Sequence, residues 1–171
     1  WYYDAVRFIT EKGVTTGIGN GKFGPNASLT RGQFIVMLMR AYGIEPDANP
    51  TDNFSDAGNT YYTGYLAAAK QLGISTGVGA NNFAPEKAVT RQELFTLLYN
   101  ALKLLNKLPS TDTGRALADF TDSGNAASWA TEAMDSLIKS GTITGADNKL
   151  DPTGSSTRAQ MAQVLYHLLE K

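Results

Sequence analysis

A chain of 171 residues is long enough to bury a sizeable apolar core. Its apolar content of 42% and charged content of 18% are those of a folded chain, not a disordered one. Lys and Arg number 15 against 16 Asp and Glu, a net charge of −1, which excludes the broad basic footprint of a nucleic-acid binder and leaves room only for local anion sites.

There is no cysteine, hence no disulfide and no thiolate metal site. No apolar run approaches the ~20 residues that cross a bilayer, so membrane insertion is not expected. The first residue is Trp1 and not Met, as expected of a fragment whose targeting sequence has been cut away.

Three internal repeats organise the chain. A Thr-Arg pair recurs at Thr30-Arg31, Thr90-Arg91 and Thr157-Arg158, and a Thr-Gly pair precedes each at Thr16-Gly17, Thr76-Gly77 and Thr144-Gly145. Between the pairs lies an apolar residue two positions before a proline: Phe23 and Pro25, Phe83 and Pro85, Leu150 and Pro152. Each repeat opens on an aromatic residue, Trp1, Tyr61 or Trp129, and carries a glycine downstream at Gly13, Gly73 or Gly141.

In chain order each repeat predicts a helix, a Gly-rich loop and a second helix. The first helices place Ala5, Val6 and Ile9, then Tyr65, Leu66 and Ala69, then Ala133, Met134 and Leu137 at helical spacing. Their stops are predicted at Gly13, Gly73 and Gly141, since glycine tolerates the positive φ found just past a helix end. The second helices open on a capping box, with Thr30 and Gln33, Thr90 and Glu93, Thr157 and Gln160 as its members. An apolar stripe follows in each: Phe34, Met37, Leu38 and Ala41; Leu94, Leu97, Leu98 and Ala101; Met161, Val164, Leu165 and Leu168. Helices of about ten residues do not stand alone, so the three repeats are expected to share one core as a single cooperative all-α unit. The linkers, Ile44–Asn53 and roughly Lys107–Asp119, read as surface connections.

This ordered set of motifs resembles the S-layer homology (SLH) domain over essentially the whole chain. It comprises Trp1-Tyr-Tyr-Asp-Ala5 and Trp129-Ala-Thr-Glu-Ala133, Gly-x-x-Thr-Gly, Phe-x-Pro and Thr-Arg-x-Glu/Gln, with Phe54-Ser-Asp56 and Phe120-Thr-Asp122 upstream. The resemblance implies three repeats at 1–46, 54–106 and 120–171, forming one pseudo-threefold unit with a central helical bundle and grooves between repeats. It implies a secreted module that holds a surface protein non-covalently on the bacterial cell wall or S-layer. The implied partner is an anionic secondary cell-wall polysaccharide, often pyruvylated, or another peptidoglycan-linked polymer. Repeat one departs from the family pattern: no Phe-x-Asp precedes Trp1, Gly32 replaces Ala, and Gln33 replaces Glu, as Gln160 does in repeat three.

Each candidate residue has a plain structural role beside a functional one. The capping box alone accounts for Gln33, Glu93 and Gln160. Arg31, Arg91 and Arg158 stand in a first helical turn, where a cation opposes the macrodipole by about 0.3–1 kcal/mol. An anion held by the helix N-terminus and the guanidinium fork reverses that penalty, which marks these arginines as glycan ligands. Gly17, Gly77 and Gly145 either supply positive φ or let the backbone approach a sugar. Trp1 and Trp129 are either core residues or a groove wall on which a sugar ring stacks. His167, near the end of the last helix, suits a C-terminal position.

No catalytic constellation, calcium loop, nucleophile elbow or phosphate loop is found, so neither enzyme activity nor a metal or cofactor is expected. The alternative function is a helical-repeat scaffold for protein–protein contacts in surface-layer assembly.

Overall fold

The computed structural model describes residues 1–170. The expected helix–loop–helix repeats are present as α1 (Tyr3–Glu11) and α2 (Arg31–Ala41), α3 (Thr63–Gln71) and α4 (Arg91–Leu104), α5 (Thr131–Lys139) and α6 (Arg158–Leu169). Short 3-10 turns at Leu117–Asp119, Ser123–Asn125 and Ser128–Ala130 lead into α5. Extended contacts among the described residues are isolated bridges, so the chain is all-α.

The helix ends follow from local chemistry. Thr30, Thr90 and Thr157 each accept the amide of the third helical residue, while the side chains of Gln33, Glu93 and Gln160 reach back to the cap amide. At the other end Gly13, Gly73 and Gly141 take positive φ. In repeat one Gly13 N–H donates to Thr10 C=O and Val14 N–H to Ile9 C=O, both near 3.0 Å, which is a Schellman stop.

The helices do not pair within their own repeats. Each second helix packs against the first helix of the next repeat: α2 on α3, α4 on α5, and α6 back on α1. Two compact units result, one of Trp1–Val89 together with the segment from Ser156 onward, the other of Thr90–Ser155. Repeat three is thus divided between the units, α5 in one and α6 in the other.

This exchange explains a departure from the one-sided stripes. Every residue of α2 from Phe34 to Met39 is buried, because α2 meets both α3 and α6. In α4, Phe95, Tyr99 and Leu102 are buried beside the expected Leu94, Leu97, Leu98 and Ala101. Conversely Val6, Ala41, Val164 and Leu168 are only half-buried.

In the first unit, three residues that immediately precede the caps form a closed cycle of backbone bonds. Leu29 N–H donates to Ser156 C=O at 3.0 Å, Ser156 N–H to Val89 C=O at 3.2 Å, and Val89 N–H to Leu29 C=O at 2.9 Å. All three residues are buried, so each amide needs a protein acceptor. One residue from each repeat supplies the cycle, and each lies next in sequence to a helix cap.

A fragment of residues 1–46 contains α1 and α2 but neither of their partners, α6 and α3. It is therefore expected to show little helix and no cooperative melt by circular dichroism, whereas the full chain melts cooperatively. A cooperative transition in the fragment would show that the exchanged packing is dispensable.

Candidate functional site

The second helix of each repeat begins on the loop of the following repeat. The first two amides of an α-helix have no partner inside it. Here Arg31 N–H donates to Lys87 C=O at 2.9 Å and Gly32 N–H to Pro85 C=O at 2.8 Å. The same pair of bonds runs from Arg91 to Gly154 and Gln92 to Pro152, and from Arg158 to Ala27 and Ala159 to Pro25. With the Thr hydroxyl taking the third amide, the helix N-terminus offers no free N–H to an anion.

The arginine side chains grip the same loops. Arg31 Nε donates to Phe83 C=O at 2.8 Å, Arg91 Nε to Leu150 C=O at 2.6 Å, and Arg158 Nε to Phe23 C=O at 2.8 Å. The guanidinium of Arg31 lies over the Phe83 ring and that of Arg158 over the Phe23 ring, at 4.6 and 4.9 Å from the centroids. Where Leu150 replaces the aromatic, Arg91 lies instead over Phe95 of its own helix, at 5.5 Å. Arg158 also donates to Thr15 Oγ1 at 3.0 Å. Arg31 and Arg158 are 3% and 2% exposed, while Arg91 is half-buried. Burial lowers the pKa of Arg91, and Asp151 and Asp122 oppose that shift; burial lowers Arg158 likewise, against Tyr61.

The macrodipole penalty inferred from the sequence is therefore met within the protein. Carbonyl oxygens of the next repeat, not only an incoming anion, satisfy the cation of the first turn. Each arginine belongs to a pair of repeats: Arg31 meets the Gly77 loop, Arg91 the Gly145 loop and Arg158 the Gly17 loop.

The opposite side of the loop is held by a carboxylate. Asp56 accepts from Phe83 N–H at 2.8 Å through one oxygen and from Ala84 N–H at 2.7 Å through the other. Asp122 accepts from Leu150 N–H at 2.9 Å and Asp151 N–H at 2.8 Å in the same way. Ala84 and Asp151 both take positive φ, 57° and 50°, a conformation that an L-residue holds only when its surroundings enforce it. Two charge-assisted bonds supply that enforcement. Burial pushes the Asp122 carboxyl up, but the amides of Leu150 and Asp151 more than offset this and leave it below the usual carboxylate range.

The S-layer homology domain family matches this chain at residues 1–35, 53–95 and 119–162. The chain belongs to that family. It is 29% identical over 165 residues to the S-layer protein EA1 of Bacillus anthracis, covering 96% of this chain and 18% of that protein. It is 31% identical over 173 residues to an endoglucanase of Bacillus sp. (strain KSM-635), covering all of this chain and 18% of the enzyme. An amylopullulanase of Thermoanaerobacterium thermosulfurigenes is 28% identical over 173 residues, again across the whole chain but over 9% of the enzyme. The chain thus spans under a fifth of the length of these relatives. SLH membership places it at the cell surface in association with the cell wall. No helix among the described residues is long and apolar enough to cross a membrane.

The other SLH candidates fall into two groups. Gly17, Gly77 and Gly145 take φ of 82°, 83° and 68°, and a Cβ on them would lie 2.3, 2.3 and 2.6 Å from the carbonyl oxygens of Lys22, Asn82 and Lys149. A structural need for glycine is thereby explicit. Trp1 and Trp129, by contrast, are 79% and 56% exposed, and Tyr61 is 60% exposed, so the opening aromatics lie on the surface and not in the core. His167 is exposed and lies 2.9 Å from Gln163.

Arg40 went unnoticed in the sequence because it sits outside the repeated motifs. In the first unit it donates to Tyr65 Oη at 3.1 Å, and its charge, with that of Arg158, acts on the Tyr61 hydroxyl. Burial and Glu86 raise that hydroxyl's pKa, and the two cations oppose the rise. Tyr61 from repeat two, Arg158 from repeat three and Arg40 from repeat one thus share one electrostatic neighbourhood.

Two outcomes follow. Arg31→Ala removes a buried cation and leaves Phe83 C=O without its donor, so a loss of about 2–4 kcal/mol is expected, and Arg91→Ala should cost less. Denaturant melts of both variants check the order; equal losses would show that the deeper burial of Arg31 does not set the cost. The lowered carboxyl of Asp122 stabilises the fold fully above about pH 4, its unfolded value, and progressively less as pH falls through its native value. Urea midpoints of the parent and Asp122→Asn should therefore differ by a constant gap at about pH 5–6 and converge as pH falls below about 4; a gap unchanged below about pH 4 would show that Asp122 acts without its charge.

Proposed function

We propose that the three SLH repeats, 1–46, 54–106 and 120–171, act as one anchoring unit. In this proposal they hold a surface protein on the cell wall by binding an anionic secondary cell-wall polysaccharide, pyruvylated in its recognised form, without cleaving it. The observation that carries the proposal is the pattern of likeness. The same segment aligns end to end, at similar identity, with S-layer proteins and with enzymes named for degrading different polysaccharides. It covers between 9% and 18% of these proteins. A segment common to proteins of such different activity serves what they share, their place at the surface, and not their chemistry.

In this reading an anionic glycan is recognised along the junctions between a second helix and the loop of the next repeat. An exposed aromatic face beside a cation suits a sugar carrying a carboxylate, the ring stacking and the acid meeting a guanidinium. The Tyr61, Arg40 and Arg158 neighbourhood combines these elements. The Arg91 junction is the least favourable, because Asp122 and Asp151 act on Arg91 and Glu93 adds negative charge to the same helical turn.

Purified sacculi should retain the protein, and stripping them of secondary polymer should abolish retention. Retention that survives stripping would favour a protein scaffold, and release of reducing ends would show an enzyme. Within the site, Arg40→Ala is expected to weaken binding of a pyruvylated wall saccharide on the order of tenfold, measured by calorimetry, with little change in melting temperature. Unchanged affinity in that variant would remove the Tyr61 neighbourhood from the site.

A further inference from the structure

Asn-Gly occurs once in the chain, at Asn20-Gly21. It forms the tip of the Gly-rich loop of repeat one, where Lys22 N–H donates to Gly19 C=O at 3.0 Å and Ile18 N–H to Lys22 C=O at 2.8 Å. The two central residues of that turn have φ of 52° and 68°, the left-handed pair of a type I′ turn. Repeats two and three build the same turn on Ala80-Asn81 and Asp147-Asn148, with φ of 48° and 56°, then 47° and 56°.

The asparagine of repeat one stands one place earlier in its turn than the other two. Asn81 and Asn148 are second central residues, so the amide after each is the turn's own donor. Asn82 N–H donates to Gly79 C=O at 2.9 Å, and Lys149 N–H to Ala146 C=O at 2.8 Å. Asn20 is the first central residue, and the amide after it, Gly21 N–H, has no acceptor among the described residues. Every other asparagine is followed by proline or by an amide already bonded. The Asn20 carboxamide makes no bond among the described residues either, whereas that of Asn81 is tied to Asn53 C=O and Ser55 Oγ, both at 3.1 Å. Gly19, Asn20 and Gly21 are all exposed, and a Cβ on either glycine would meet nothing within 4 Å.

A free amide following an unheld carboxamide is the arrangement from which asparagine cyclises. Gly21 N bonds to Asn20 Cγ, the bond from Cγ to Nδ2 breaks, and ammonia leaves with the Gly21 amide proton. Water then opens the five-membered imide. Attack at Cγ gives aspartate; attack at the main-chain carbonyl gives isoaspartate, whose main chain runs through Cγ and is one carbon longer. The glycine on each side eases the backbone rotation that brings the nitrogen to Cγ.

We infer that Asn20 is a self-modifying position, and that its conversion to isoaspartate loosens the seat of α6. The extra carbon falls inside the turn, between the residues whose bonds close it. Phe23 follows that turn directly and gives its C=O to Arg158 Nε, while Pro25 and Ala27 receive the first amides of α6. A change in turn length is therefore passed to the junction between repeats one and three. Only water is consumed, so the reaction advances with the age of the molecule. The inference stands independently of which polymer is bound.

The test ages the full chain in warm neutral buffer and cleaves it after lysine. Asn20 then lies in the peptide Gly13–Lys22, which holds no other asparagine, so labelling of that peptide by an isoaspartate-specific methyltransferase reports Asn20 alone. Label is expected there before it appears in any other asparagine-containing peptide. The aged protein should melt about 2–4 °C below the fresh one. Its Arg158 amide should exchange at least roughly tenfold faster, while amides of the α4–α5 pair stay unchanged. Asn20→Ala gives the turn the residue that Ala80 already supplies in repeat two, and it should age without these changes. Label that appears first at Asn81 or Asn148 would overturn the site. Labelled protein that melts and exchanges like fresh protein would overturn the coupling to α6, as would an equal loss in aged Asn20→Ala.

Discussion

Everything in this structure rests on one exchange: the orphan amides of each second helix are satisfied by carbonyls of the next repeat's loop. A helix of eleven to fourteen residues such as α2 or α4 has little stability of its own and loses more when its first turn is left unpaired inside a protein. The loop, in turn, holds residues at positive φ that a free chain would seldom adopt. Neither element is stable without the other. The bond between them is therefore also the bond between repeats, and the buried cycle of Leu29, Val89 and Ser156 repeats the same logic one residue earlier in the chain.

The arginine makes this junction specific. Its Nε and backbone N–H both address carbonyls of the neighbouring loop, and its planar face covers an aromatic ring where one is present. Lysine has neither the second nitrogen geometry nor the flat face, so it could not replace it. Opposite it, Asp56 and Asp122 fix the loop from the amide side. Each complete loop is thus clamped between a carboxylate and a guanidinium, and the peptide units between them are held from both sides.

Much of this fold was legible in the sequence because its determinants are local. The capping boxes at Thr30, Thr90 and Thr157 and the stops at Gly13, Gly73 and Gly141 need only a few neighbouring residues to act, and all six stand where the sequence placed them. What could not be read was which helix packs on which. A stripe such as Phe34, Met37, Leu38 names a buried face but not its partner, and it understated α2, which is enclosed by helices from two other repeats. The same blindness affected the arginines. Seen alone, a cation in a first turn looks like an unmet cost, because its acceptor lies 52 residues away for Arg31 and 135 for Arg158. Arg40 was invisible for the opposite reason, since nothing in the repeat pattern marks it.

A residue that both holds the fold and faces a ligand couples the two. In the proposed anchor, the Nε side of the buried Arg158 is committed to Phe23 and one terminal nitrogen to Thr15, so its charge would act on a glycan acid held beside Tyr61 from a guanidinium already fixed in place. Such a cation has lost its rotamer freedom on folding and need not lose it again on binding, which favours affinity. The same arrangement works in reverse. A ligand that engages only the assembled junction stabilises it by mass action, by about 2.7 kcal/mol at a hundred times its dissociation constant. On a wall dense with polymer the junction between repeats would then be firmest where the module is attached, and a detached copy would be the more easily unfolded one.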